Sequence, residues 1–113
     1  MIHPRLFEKI DRKNDPHTVA KDVLNSLNHR AFIRAVNSWL QGIGFGGDGG
    51  ACDFPEDDDS FEGVLCYNHL DEEVLLTEKE FYNLLSEAIQ RYIELRPDKR
   101  EELEQIISQS SLR

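Results

Sequence analysis

Apolar positions recur at helical spacing along much of the chain. In "DPHTVAKDVLNSLN" the residues Val19, Val23, Leu24 and Leu27 fall on one side of a helix, with Asp15 placed as its cap and Pro16 suited to its first position. After an "NH" break, Phe32, Val36, Trp39, Leu40 and Ile43 form a second stripe, which Gly42 or Gly44 is placed to end. The clearest local signal is "TEKEFYNLLSEAIQRYI". Thr77 and Glu80 have capping-box spacing, acids near the start suit the helix dipole, and Phe81, Leu84, Leu85, Ala88, Ile89, Tyr92 and Ile93 follow one stripe. A last helix opens at Pro97 and carries Leu103, Ile106 and Ile107, and "SQSSLR" reads as a frayed tail.

From Phe61 the period changes. "FEGVLCYNHLDEEVLL" predicts two strands, roughly 61–67 and 73–76, joined by the short "NHLDE" connection into a β-hairpin. Phe61, Leu65 and Tyr67 share one face with Gly63 at a bulge or close contact, and Glu62, Val64 and Cys66 share the other. The expected core is Phe32, Val36, Trp39, Leu40, Leu65, Phe81, Leu84, Leu85, Ile89 and Ile93. The pattern predicts a single α+β domain over residues 1–113, with about four helices packed on a small antiparallel β-hairpin or sheet.

Composition adds a sign to this picture. The chain of 113 residues carries a formal net charge of -9, and the imbalance is local. Residues 1–47 hold seven bases against four acids, 48–80 hold one against twelve, and 81–113 hold five against six. A face of that sign repels nucleic acid and anionic membrane and attracts basic proteins. No apolar run is long enough to span a bilayer, and "MIHPRLFEKIDRK" lacks the apolar core of a secretory signal, so a cytoplasmic location is expected. Cys52 and Cys66 fit no metal-binding spacing and read as reduced, partly buried thiols.

The stretch "GFGGDGGACDFPEDDDSFEG", residues 44–63, concentrates the charge, with seven acids and six glycines. Gly42, Gly44 and Gly47 match GxGxxG in letters only, because a helix precedes them and an acidic segment follows. The acids do not fall in the register of a calcium loop. The histidines, His3, His17, His29 and His69, have no metal or catalytic spacing, and the adjacent acids Glu72 and Glu73, like Asp57 to Asp59, read as solvated surface rather than paired acid and base. No catalytic residue, metal ligand or cofactor is therefore assigned. Binding remains: clustered acids steer a basic partner, and aromatic residues among them, Phe45, Phe54 and Phe61, fit the anchors of an interface. The candidate partner-binding residues are Asp48, Asp53, Phe54, Glu56, Asp57, Asp58, Asp59, Glu62, Tyr67, His69 and Asp71.

The helical first half, the acid and glycine connection, and "FEGVLCYNHLDEEVLLTEKEFYNLLSEAIQRYIELRPDKREELEQII" together resemble the small immunity proteins of bacterial contact-dependent growth inhibition (CDI) systems, in particular ribonuclease toxin immunity proteins. The likeness is strongest over residues 61–107. It implies a cytoplasmic protein without catalysis of its own that binds a cognate toxin nuclease domain, a basic protein, as a one-to-one heterodimer. It implies no invariant active site, so the candidate residues rest on charge and placement. Two other classes stay open: an acidic adaptor or regulatory subunit binding another basic protein, and a structural domain with a solvated acidic loop.

Overall fold

A computed structural model describes residues 6–7, 10–47, 49–55 and 62–109. In chain order these contain α1 (Thr18–Ser26), α2 (His29–Trp39), β1 (Phe45–Gly47), β2 (Gly50–Asp53), β3 (Val64–Asn68), β4 (Glu73–Leu76), α3 (Glu78–Leu95) and α4 (Arg100–Gln109), with a single 3-10 turn at Pro97–Lys99 before α4. The fold is α+β: four helices and a four-stranded antiparallel sheet among the described residues. The strands form a meander in the order β1-β2-β3-β4.

Helix boundaries follow from local hydrogen bonding. At α3 the Thr77 hydroxyl accepts from the Glu80 N–H and the Glu80 carboxylate accepts from the Thr77 N–H, each at 3.0 Å, so two otherwise orphaned donors are satisfied. Asn28 caps α2, accepting from the Ala31 N–H at 2.8 Å. Asp15 does not cap α1. The helix begins three residues later with His17 at its cap, and Asp15 instead closes the preceding turn by accepting from the His17 N–H at 2.8 Å and pairing with Lys21. Helix α2 ends at Trp39, where Gly42 takes a φ of +76° and its N–H reaches the Trp39 carbonyl. Ile43 therefore lies past the helix and is 55% exposed, outside the core stripe expected of it.

The sheet is larger than the hairpin read from the sequence. The glycine-rich segment supplies two further strands, paired Phe45↔Cys52, Gly46↔Ala51 and Gly47↔Gly50, and β2 pairs in turn with β3 through Cys52↔Cys66 and Asp53↔Leu65. Glycine carries little strand propensity, so no local signal marked these strands; tertiary pairing makes them. At Gly50 φ is +121° and a Cβ would lie 2.1 Å from the Tyr67 carbonyl oxygen, so this register between β2 and β3 depends on a residue without a side chain.

One face of the sheet carries the core. Val64, Cys66, Cys52 and Leu76 are buried there, with Phe45 and Val74 packed at its margin. Strand β3 has the opposite parity to the one expected: Val64 and Cys66 point inward, whereas Leu65 and Tyr67 point out. Both parities of "VLCY" are apolar, and only packing against the helices chooses between them. Above the inner face, Trp39 is fully buried, donates from Nε1 to the Cys52 carbonyl at 3.0 Å and meets Phe81 edge-on at 5.4 Å. Phe32 stacks on Tyr92 at 4.5 Å. The α3 stripe is buried as its spacing predicts. Leu6 and Phe7 are also buried, held by a two-way hydrogen-bond pair between the Phe7 backbone and the Asn25 amide at 2.9 Å.

Candidate partner-binding surface

The helices cover one side of the sheet, and the candidate residues divide between its other side and its two ends. Register places Ala51, Tyr67 and Glu73 in one cross-strand row and Asp53, Leu65 and Leu75 in the next, all on the outer face. Tyr67 is 38% exposed and Leu75 50% exposed. Tyr67 and Asp53 are diagonal neighbours between these rows. The Asp53 charge, followed by partial burial and hydrogen bonding to that carboxylate, pushes the Tyr67 phenol above its ordinary range. Glu62 is exposed just before β3 and borders an open groove with Pro55, Gly63, Leu75, Leu76, Thr77 and Glu78.

Phe54 is placed differently from the anchor expected at this surface. Its ring is 8% exposed and packs into the core, 5.9 Å from Phe81 and 6.0 Å from Tyr82. It fastens the end of β2 to α3 and offers no apolar contact to a partner. Of the other two aromatics in the acidic stretch, Phe45 is half-buried 6.3 Å from Trp39, and Phe61 lies outside the described residues. Asp48, Glu56, Asp57, Asp58 and Asp59 lie outside them as well.

His69 and Asp71 are exposed on the β3–β4 turn, at the opposite end of β3 from Glu62. Asp71 has a φ of 61°, a left-handed conformation that aspartate tolerates better than most residues. The turn is organised by Asn68, which sequence reasoning passed over. Its Oδ1 accepts from the Leu70 and Glu72 N–H groups at 3.0 Å each, and its Nδ2 donates to Asp22 and Glu72 at 2.9 Å each. Arg12 closes the network by donating to the same two carboxylates at 3.0 and 2.8 Å. These bonds tie the turn to α1 and to the N-terminal segment, so part of the acidity around residues 71–73 is neutralised within the chain.

Other chemistry-bearing groups lie inside the fold. Cys52 and Cys66 face each other across β2 and β3 as buried free thiols, and the hydrogen bond that the Cys52 thiol donates to Cys66, followed by burial, pushes the Cys52 thiol far up. Burial, then the Glu78 charge, pushes the Tyr82 phenol up to about 12, and its hydroxyl donates to the Trp39 carbonyl at 2.8 Å. Among the described residues no group of three or more His, Cys, Asp or Glu is arranged to hold a metal, and no helix is long and apolar enough to cross a membrane.

The surface is thus a strip that includes the exposed Tyr67 and Leu75, edged by the carboxylates of Asp53, Glu62 and Glu73. Residues 16–107 match the family model described as CDI immunity protein. The chain belongs to that family. The match covers most of the chain, from the turn before α1 to within α4, so it takes in the whole sheet and the surface just described. No curated protein matches the chain. Membership of the CDI immunity proteins makes its function the neutralisation of a cognate toxin through binding, in a family that is generally not enzymatic.

Proposed function

We propose that the toxin this chain neutralises is a nuclease, bound one-to-one in the cytoplasm without catalysis by the immunity protein. The observation that carries the reading is the placement of charge: residues 48–80 hold twelve acids against one base in a member of the CDI immunity family. A nuclease needs a basic groove for a phosphate substrate, and an acidic partner competes for that groove in the same electrostatic terms. Asp53, Glu62 and Glu73 on and beside the outer sheet face support this reading, and the sequence adds Glu56, Asp57, Asp58 and Asp59 to the same acidic stretch.

The test has two parts. Co-expression should rescue growth from the toxin domain encoded immediately upstream and from no unrelated toxin, because specificity rests on repulsive as well as attractive contacts. Stopped-flow association should then compare wild type with a variant neutralised at Asp53, Glu56, Asp57, Asp58 and Asp59 to Asn or Gln. The variant should associate more slowly, with a flatter dependence on salt, since exposed charges act chiefly through steering. Equal rates and equal salt slopes would remove the acidic stretch from the interface. A toxin domain with no nuclease activity would overturn the reading itself.

A further inference from the structure

We infer that the outer face of the sheet is the docking surface for the toxin, with Tyr67 and Leu75 as its anchors and a basic, partly apolar patch of the toxin domain as its occupant. This rests on the immunity reading and goes beyond it in naming a surface. The observation is the asymmetry of the sheet. Helices bury Val64, Cys66, Cys52 and Leu76 on one side, yet the other carries the half-buried Leu65 beside Tyr67 and Leu75, which are 38% and 50% exposed. An antiparallel sheet with one solvated face ordinarily alternates apolar inward with polar outward. Here Leu65 and Leu75 are directly opposed in the outward row, and Tyr67 lies on the same face. A half-exposed leucine paired across strands with another leucine is unfavourable in water and suits an interface.

Charge identifies the occupant. The strip is bordered by Asp53, Glu73 and Glu62, and no lysine or arginine lies among the described residues of its cross-strand rows. Nucleic acid and an anionic lipid surface are repelled by such a border, and a second copy of this chain would bring two acidic borders together. A basic protein surface meets the border with opposite charge and the strip with apolar contact, the arrangement of a desolvated centre within a polar rim. Tyr67 is suited to an anchor because its large ring is 38% exposed on the outer face, beside Asp53 on the diagonal.

The experiment measures binding of the purified upstream toxin domain to the full chain by calorimetry, for wild type and for Tyr67→Ala, Leu75→Ser, Leu75→Arg and Gln90→Arg. Gln90 is exposed on the outer side of α3 and makes the same change of charge as Leu75→Arg on a different face. Both Leu75 changes are made at an exposed site, so each variant should melt close to wild type. Loss of about tenfold or more in affinity for Tyr67→Ala and Leu75→Ser, and a larger loss for Leu75→Arg, with Gln90→Arg unchanged, is the expected result. Affinities within about twofold of wild type for all three sheet variants would overturn the surface and leave the immunity reading intact. A wild-type chain that dimerises through this face, with Leu75→Arg monomeric and still binding toxin fully, would overturn it in favour of self-association. Failure of wild type to bind the toxin domain at all would remove both readings.

Discussion

Replacing Asn68 with aspartate changes one amide nitrogen to oxygen and should destabilise the fold in a way that depends on pH. The wild-type amide faces two carboxylates, Asp22 and Glu72, at 2.9 Å each, while its oxygen accepts two backbone N–H groups; this pattern also fixes which end of the amide is which. An aspartate keeps the backbone bonds and turns both donor contacts into like-charge contacts. Two unit charges that close in a partly screened site repel by about 4 kcal/mol or more per pair, whereas protonating a carboxyl of ordinary pKa at pH 7 costs about 4 kcal/mol in all. Protonation is the cheaper escape, even with Arg12 nearby. The protonated acid then offers one donor where the amide offered two, a further loss of about 1 kcal/mol.

The expected cost is about 3 to 5 kcal/mol at pH 7, a large share of a small domain's stability. Because the folded-state pKa of the new carboxyl is raised, the folded variant binds a proton that the unfolded chain at pH 7 does not, and its deficit shrinks as pH falls. It should narrow to about 2 kcal/mol near pH 4.5. Urea unfolding followed by the fluorescence of the single tryptophan, Trp39, reads the difference, with wild type measured at each pH so that shared carboxylates cancel. A cost under about 1 kcal/mol with no change between pH 7 and 4.5 would mean that the amide does not sit between the two carboxylates.

Two further changes probe the fold by the same unfolding measurement. Leu85→Ala, at a side chain 1% exposed, should cost about 2 to 5 kcal/mol, and a loss below about 0.5 kcal/mol would show that α3 buries another face. Gly63→Ala should cost about 1 to 3 kcal/mol, because φ there is +96° and the new Cβ would lie 2.2 Å from the Leu76 carbonyl oxygen; an unchanged midpoint would refute that close approach.

Residues that sit near one another in sequence settle much of the helical half by themselves. Thr77 and Glu80 close their capping box three residues apart, and the α3 stripe buries each residue its 3.6 periodicity selects, because a stripe of that width has only one way to face a core. The concentration of acid in the middle third is likewise a property of sequence alone. The sheet was less legible. Phe45–Gly47 and Gly50–Asp53 become strands through pairing partners distant in the chain, and the inward face of β3 is chosen by helices that "VLCY" cannot announce. The same cause moved Leu65 outward and Phe54 inward, and with them the apolar part of the candidate surface. Periodicity reports which residues share a face; only tertiary packing decides which face meets water, since that choice depends on what the rest of the chain leaves uncovered.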